Sequence, residues 1–397
     1  MKRLRLRDNN SGRLALGLFV SVFVWCYLLP QATAQISPGT PYSTAIQLFS
    51  QNWAITEGDA STKISQTVLP IGLYLPFKDR LEMRLSSSYV NFQNQTDNIQ
   101  TTVSGLSDLK IQAGYALNPE RRMVVNTAFS LPTGVSKLTD KQQDVVTDFI
   151  APDLSVRENR LGEGLNAGGT FSFVTDTSEE GLLGGAVGFL YRGSYETALI
   201  NADRNVALQP GYEASLTVAY SHTTPVSFFQ ISPTLTLYGD EYIDHVKALR
   251  LGPKFQTQVL ATQMFNQRKG LFTAALQGVL RGETMTFEEN TEIFHIKNPN
   301  SLTALASLDY NVIPKLRLTL TGVGRFIRTP AIQEESVVTG SGRSNVFEQG
   351  ATASISVSKM VSISIGQRYI KGDGTNAKSE TRTIKGFETF LRTSIRF

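Results

Sequence analysis

The strongest constraint on this chain is a two-residue alternation of apolar and polar side chains that recurs from about residue 44 to the C-terminus. In the last such row, Phe387 and Leu391 lie on one face, Glu388 and Arg392 lie on the other, and Phe390 alone breaks the pattern. Successive side chains of a β-strand point to opposite faces, whereas a helix repeats about every 3.6 residues. The alternation therefore predicts β-strands along nearly the whole chain.

The connections between these rows alternate in length. Short turns lie near 77–79, 118–121, 177–181, 222–225, 266–270, 312–314 and 358–359. Longer and more polar loops lie between them, at 94–105, 134–160, 197–208, 240–246, 287–299, 329–346 and 372–384. A soluble β-sandwich has no reason to sort its loops by length, but outer-membrane barrels have short periplasmic turns and long extracellular loops.

The sequence thus predicts an all-β fold, a transmembrane antiparallel β-barrel over 44–397 with about sixteen strands. The predicted strands are 44–56, 62–76, 80–93, 106–117, 122–133, 162–175, 183–196, 209–221, 227–239, 246–260, 270–286, 300–312, 315–328, 346–357, 361–371 and 385–397. The first two alternate least regularly, so about fourteen strands with an N-terminal periplasmic or plug segment is the alternative. Aromatic residues near strand ends are predicted to form girdles at the membrane interfaces: Tyr89, Phe92, Tyr115, Phe129, Tyr191, Tyr212, Tyr220 and Tyr369.

Residues 1–34 have the form of a secretory signal peptide. Five basic residues and an apolar stretch from Leu14 to Leu29 precede the small-residue cleavage box Ala32-Thr33-Ala34. Cleavage near Ala34 leaves a short periplasmic segment at 35–43 before the barrel, and an uncleaved N-terminal anchor is the alternative. The single cysteine, Cys26, lies inside this leader, so the mature chain has no disulfide.

Charge and export together limit the partners. The chain has 38 basic and 34 acidic residues, of which five basic and one acidic lie within 1–34, so 33 of each remain after cleavage. A neutral mature chain gives no support to a nucleic-acid partner. The sequence predicts instead the outer membrane of a Gram-negative bacterium, with membrane lipid, the barrel-assembly machinery and small-molecule solutes as partners. The aromatic Phe397, at the end of the last row, resembles the terminal signal that this machinery is thought to recognise.

The polar faces of the rows are predicted to line the lumen, because a charged side chain facing lipid at the membrane midplane costs roughly 2–4 kcal/mol. The lumen candidates are Arg84, Lys110, Arg192, Glu213, Arg250, Lys254, Arg281, Glu283, Asp309, Arg317, Arg325, Arg368, Glu388 and Arg392, with Glu82, Asp108 and Arg396 on the same register. One interpretation is a water-filled pore with a weak anion preference. The other is that these charges pair across strands and only stabilise the wall.

Loop 134–160 is the candidate constriction. It resembles the third loop of general porins, which folds inward, and it carries Asp140, Asp144, Asp148 and Asp153. An acidic loop that faces an arginine-rich wall would set a transverse field across the pore, and neutralising the four aspartates should then shift the reversal potential. An exposed lid is the alternative for this loop.

Two short motifs resemble a known family. Gly105-Leu106-Ser107-Asp108-Leu109-Lys110 is similar to a strand opening of the MetA-pathway phenol-degradation barrels, which are FadL-like outer-membrane transporters. Leu131-Pro132-Thr133-Gly134 follows at the family's spacing. The resemblance implies a channel for hydrophobic or aromatic compounds, although about ten residues before the first strand leave no room for the hatch of the fatty-acid transporters.

The sequence favours a passive channel for small solutes without a catalytic role, a metal site or a cofactor. Its three histidines, His222, His245 and His295, fall in predicted turns or loops, and no Gly-x-Ser-x-Gly motif accompanies them. The alternative is a structural or surface-interaction barrel, of the adhesin or receptor type, with a blocked lumen. The apolar outer wall suits lipid and a neighbouring barrel equally, so monomer and trimer both fit.

Overall fold

The computed structural model describes residues 43–396 apart from gaps at 59, 78–79, 97–98, 136–137, 140–141, 143–144, 146–153, 155, 159–160, 199–204, 289–290, 330–332, 335–336, 339–341 and 376–380. The leader at 1–34 and the segment before β1 lie outside the described residues, as do Asp140, Asp144, Asp148, Asp153 and Phe397. The expectations attached to them stay predictions. Within the described part, no helix is both long enough and apolar enough to cross a membrane.

Sixteen antiparallel strands form a closed barrel. They are β1 (Ser43–Glu57), β2 (Ala60–Phe77), β3 (Leu81–Thr96), β4 (Ile99–Leu106) with β5 (Leu109–Ala116) as one interrupted strand, β6 (Met123–Leu131), β7 (Asn166–Asp176), β8 (Gly181–Arg192), β11 (Glu213–Thr223), β12 (Ser227–Tyr238), β15 (Lys254–Phe265), β16 (Gly270–Arg281), β19 (Asn300–Ile313), β20 (Leu316–Thr329), β23 (Gly342–Ser356), β24 (Val361–Thr375) and β25 (Thr381–Arg396). The first strand pairs with the last along its whole length, from Ser43 opposite Arg396 to Glu57 opposite Arg382, which closes the ring. Each of the sixteen strands therefore has a hydrogen-bonded neighbour on both sides, as a membrane-spanning sheet requires.

The remaining strands lie in the long connections. They are β9 (Tyr195–Ala198), β10 (Asn205–Gln209), β13 (Asp240–Ile243), β14 (Val246–Arg250), β17 (Thr284–Glu288) and β18 (Thr291–Ile296), and a two-residue hairpin of β21 (Gln333–Glu334) and β22 (Val337–Val338). A second sheet, here called the extension, is formed by six of these strands: β9, β10, β13, β14, β17 and β18. It continues the hairpins β8–β11, β12–β15 and β16–β19 beyond the barrel, at what we call the long-loop end.

The extension corrects the predicted loops at 197–208, 240–246 and 287–299, because the described residues of these stretches are largely strand. It also divides the predicted strand 246–260, because β14 belongs to the extension and β15 to the barrel. Backbones approach closely where the chain passes from one sheet to the other. A Cβ on Gly211 would lie 2.3 Å from the carbonyl oxygen of Gly239, so only glycine fits at that junction.

The outer face of the barrel is an apolar belt. Side chains such as Val187, Leu216 and Ile365 are 58%, 53% and 60% exposed. Leaving so many large apolar groups in water would be costly, and lipid is the solvent that they fit. Of the eight predicted girdle residues, all but Phe92 are exposed on the outer face, whereas Phe92 is fully buried inside.

The predicted count of sixteen barrel strands is confirmed, and the alternative of fourteen is wrong. The predicted loop 94–105 is corrected, because β4 occupies most of it and pairs with β3. Between β4 and β5, Ser107 and Asp108 leave the ladder and form a bulge. This bulge lies on the barrel wall beside the connection from β6 to β7.

Candidate functional site

The described residues of the connection between β6 and β7 (132–165) are here called the inner loop, and they enter the barrel. The loop connects two neighbouring strands of the wall, yet its side chains Val145, Leu154 and Leu161 are only 1%, 5% and 3% exposed. They share one buried cluster with inward side chains of β1–β4 and β23–β25: Phe49, Trp53, Ile55, Ile64, Val68, Val90, Phe92, Val103, Val346, Ile370 and Ile384. The inner loop therefore fills one side of the lumen with a small hydrophobic core.

Asp108 holds both ends of the inner loop. One carboxylate oxygen accepts the backbone N–H of Gly134 at 2.8 Å, and the other accepts that of Glu163, also at 2.8 Å. The backbone N–H of Asp108 donates to the carbonyl of Leu161 at 3.0 Å. A Cβ on Gly134 would lie 2.0 Å from that same carbonyl oxygen, so glycine is required for the approach. We call this arrangement the Asp108 clamp.

The two motifs that resemble FadL-like barrels meet at the clamp. Asp108 belongs to the first motif and Gly134 to the second, and the backbone N–H of Leu109 donates to the Thr133 hydroxyl at 2.9 Å. Buried backbone groups need partners, and the bulge frees several of them from the ladder. The motif residues and the ends of the inner loop supply hydrogen-bond partners to each other. The two motifs therefore have a structural role in this chain.

Farther along the loop, Arg157 and Glu158 bind the inner wall. The backbone N–H of Arg157 donates to the side-chain oxygens of Gln51 and Gln66, at 3.3 and 3.0 Å. The Ser88 hydroxyl donates to the Glu158 carboxylate at 3.0 Å. Burial raises the pKa of Glu158, and the positive charge of Lys110 and the Ser88 hydrogen bond partly offset this rise.

A ladder of alternating charges continues from the loop across the wall. The Arg157 guanidinium donates to both oxygens of Glu388 at 2.6 and 3.1 Å, and it lies 4.3 Å from the centre of the Phe49 ring. Arg368 donates to Glu348 at 2.8 Å and lies 3.7 Å from Glu388, and Arg325 also donates to Glu348. Both carboxylates are almost fully buried. Such charges are stable only while they stay paired.

The opposite side of the lumen is polar, and it is here called the polar wall. It consists of the inward faces of β8, β11, β12, β15 and β16, which carry serines, threonines and glutamines such as Ser215, Thr234 and Gln258. At its long-loop end, Arg192 forms an ion pair with Glu213. Lys254 lies opposite Arg281 on the neighbouring strand, and neither has an ion pair within the described residues.

The structure places twelve of the fourteen lumen candidates on the inward faces of barrel strands. Arg192, Glu213, Arg325, Arg368 and Glu388 form ion pairs there. The side chains without an ion pair in the described part are mainly cationic: Arg84, Lys110, Lys254, Arg281, Arg317 and Arg392, with Asp309 as the acid, which accepts the Thr319 hydroxyl.

Two of the candidates lie elsewhere. Arg250 ends β14 in the extension, where its guanidinium donates to Asp240 at 2.5 Å. That hydrogen bond, and a second from Lys247, lower the pKa of Asp240. Glu283 lies in the junction between β16 and β17. Their predicted places on the lumen wall are corrected, because the alternation continues from the barrel into the extension without a visible break.

Four partners in the inner contacts were absent from the predicted site: Glu348, Gln51, Gln66 and Arg157. Glu348 lies on the polar face of a predicted strand, so the alternation alone could have identified it. The two glutamines gave no signal, because an inward amide in a barrel is ordinary. Only the position of the inner loop shows their role.

His295 is a pH-sensitive contact at the start of the extension. Its ring nitrogens lie 2.7 Å from Glu292 and 3.1 Å from Glu283, and these hydrogen bonds, that of Glu292 first, raise its pKa above the usual 6.5. The stabilisation that this contact gives to the folded state is therefore fully present below pH 6.5, and it is lost as the pH rises through the raised pKa. In an NMR titration of the folded barrel, Glu292→Gln should lower the His295 midpoint, and Glu288→Gln on the same hairpin should leave it unchanged. A wild-type midpoint at or below 6.5 would contradict this assignment.

Comparison with solved structures finds several of low similarity to this chain. OprD from Pseudomonas aeruginosa superposes with a TM-score of 0.42 and 9% identity, with 91% of this chain and 98% of that chain covered. OccK7 (OpdD) from the same organism gives 0.44 and 10% identity, with 89% and 99% covered, and the outer membrane channel DcaP of Acinetobacter baumannii gives 0.42 and 10%, with 92% and 100% covered. No known protein family and no curated protein matches the sequence. The resemblance to FadL-like transporters thus finds no support among the matches, and values this low assign no substrate.

Proposed function

We propose that this protein is an outer-membrane channel through which small water-soluble solutes diffuse, with a preference for anions. The observation that carries the proposal is the division of the lumen. The inner loop fills the side of β1–β4 and β23–β25, while the polar wall opposite is lined by hydroxyls, amides and charged groups. A barrel of about sixteen strands is wide enough to keep an aqueous passage beside such a loop.

The anion preference rests on which charges stay unpaired. The carboxylates of Glu348 and Glu388 are neutralised by arginines, whereas Lys254 and Arg281 face the lumen without an ion pair in the described residues. Fixed charges along a pore exclude ions of the same sign. The predicted contribution of the four loop aspartates would oppose this field near the constriction, and it stays part of the proposal to be tested by neutralising them.

The experiment is the current of the purified, refolded barrel in a planar bilayer under a salt gradient. Wild-type protein should give stable open currents, and the reversal potential should have the sign expected for an anion-selective pore. Lys254→Gln/Arg281→Gln should reduce the anion-to-cation permeability ratio about two- to fivefold, since a unit charge about 4 Å away is worth about 1 kcal/mol in water. The matched control Lys315→Gln/Lys359→Gln, in the short turns, removes the same charge away from the polar wall.

Two outcomes would count against the channel. A folded barrel that carries no current would favour a surface-interaction barrel with a blocked lumen, the second function class that the sequence allows. An open channel with the same ion selectivity in the wild type, the lumen variant and the turn variant would show that the polar wall does not set the anion preference. Folding is checked in each case by heat-modifiable migration on a gel.

A further inference from the structure

The outer face of the barrel carries its basic residues on one side. In the described barrel strands, five lysines and arginines point outward, and all lie on the neighbouring strands β20, β23, β24, β25 and β2, with β1 between the last two: Arg328, Arg343, Lys371, Lys385 and Lys63. The other barrel strands carry no outward lysine or arginine in the part that the structure describes. We call these five residues the basic arc.

The basic arc places like charges directly opposite each other. Lys371 pairs in register with Lys385, and Arg328 pairs with Arg343. Lys385 and Lys63 flank the same residue, Ala54. Like charges at directly opposed positions of an antiparallel pair destabilise a sheet. This cost recurs along the arc, and a bound anion between the strands would remove it.

The described residues supply little negative charge here. None of the five basic side chains has an ion pair or a side-chain hydrogen bond within the described residues. The outward acid on these strands is Asp373, whose carboxylate accepts a hydrogen bond from Asn345 at 3.5 Å. All five basic side chains are exposed. Within the described residues, the counter-charge is therefore left to a group outside the barrel.

A groove beside the arc adds shape to the charge. It has a volume of about 480 Å³ and lies between Lys63 and Lys385, with Tyr369 and Phe387 on its sides. Cations at the rim and apolar rings below them match a molecule with an anionic head and an apolar body.

The position along the strands identifies the side of the membrane. Lys63 and Lys385 lie near the starts of β2 and β25, and Arg328 lies near the end of β20, so all are close to the long-loop end. The exposed apolar side chains Ile365 and Leu391 lie on the membrane side of them. Outward charges cost about 0–1 kcal/mol near a membrane interface and far more at the midplane. In the outer membrane, the long-loop end faces the outer leaflet.

We propose that the basic arc binds the phosphorylated headgroup of an outer-leaflet lipid, whose acyl chains lie along the apolar belt below it. Phosphate is the anion that fits best, because several oxygens can bridge the opposed Lys371–Lys385 and Arg328–Arg343 pairs. This site is separate from the lumen and does not depend on the channel being open.

The test is native mass spectrometry of the folded full-length barrel in a neutral detergent. The probes are a glycolipid with two phosphates, the same glycolipid without phosphates, and inorganic pyrophosphate. Lys371→Gln/Lys385→Gln should weaken binding of the phosphorylated glycolipid about 25-fold, since each basic residue at an anionic surface contributes a factor of about five. Lys269→Gln/Lys315→Gln, in the short turns, is the control and should bind as the wild type does.

Other results would overturn the proposal. Equal affinity of the wild type and the arc variant would remove the two lysines from the site. Pyrophosphate that binds as tightly as the lipid would indicate a site for a free anion. Oligomers that are lost in the arc variant, with no lipid bound, would indicate a neighbouring barrel as the partner. Heat-modifiable migration and unchanged conductance show that the variant is folded and that its lumen is intact.

Discussion

Replacing Asp108 with alanine is expected to raise the single-channel conductance about twofold, because a barrel of this size is wide once its lumen is cleared. The substitution removes the two hydrogen bonds from Gly134 and Glu163 to the carboxylate. Hydrogen bonds to a charged group are worth about 1.5–3 kcal/mol each, so the inner loop loses roughly 3–6 kcal/mol of attachment. Conductance in a planar bilayer measures the effect directly.

The matched control is Asp309→Ala. It removes a lumen carboxylate that accepts the Thr319 hydroxyl and does not touch the inner loop. If Asp108→Ala fails to fold, Gly134→Ala provides an independent route, because its Cβ would meet the Leu161 carbonyl at 2.0 Å and displace the loop. Folded variants of both kinds with wild-type conductance would show that the clamp does not set the width of the passage.

The second large effect concerns stability. Glu388→Gln should lower the free energy of unfolding by roughly 3–5 kcal/mol, since removing one partner of a buried pair leaves the other charge uncompensated. Arg157 loses both of its carboxylate contacts, and Arg368 loses one. The measurement is the urea midpoint of the folded barrel in detergent micelles, followed by tryptophan fluorescence.

An exposed ion pair gives the comparison. Asp176 pairs with Arg122 near the short turns, where the two side chains are 51% and 47% exposed. Asp176→Asn should change the unfolding free energy by about 0–1 kcal/mol, because water screens such pairs. Similar losses in the two variants would mean that the charge ladder is no more stabilising than a surface pair. The double variant Arg157→Gln/Glu388→Gln should lose less than the sum of the single losses.

The strands could be predicted from the sequence because a two-faced wall leaves a two-residue period. Where this prediction was weakest, at β1, the structure gives the reason. Phe49, Trp53 and Ile55 point inward and are buried under the inner loop, so both faces of the strand are apolar. The same cause explains Phe390, whose ring packs inside the barrel with its centre 5.8 Å from that of Phe49.

The candidate site could be predicted only in part. Alternation predicts which charges face inward, and Arg325 and Arg368 of the ladder lie on the predicted polar faces of their strands. It does not tell which of them meet, because the partners come from strands and a loop far apart in sequence, as with Arg157 and Glu388. The extension was missed for a different reason, since strands of four to six residues are too short for a period to emerge.

The inner loop also contacts the joint where the ring closes. A single pairing, β1 with β25, unites the two ends of the chain. Arg157, from the middle of the chain, contacts Gln51 on one side of this joint and Glu388 on the other, and Gln51 itself donates to Glu388 at 2.6 Å. The closing strands are therefore cross-linked from within. A solute inside the barrel could not leave sideways into the lipid between β1 and β25 unless this cross-link first came apart.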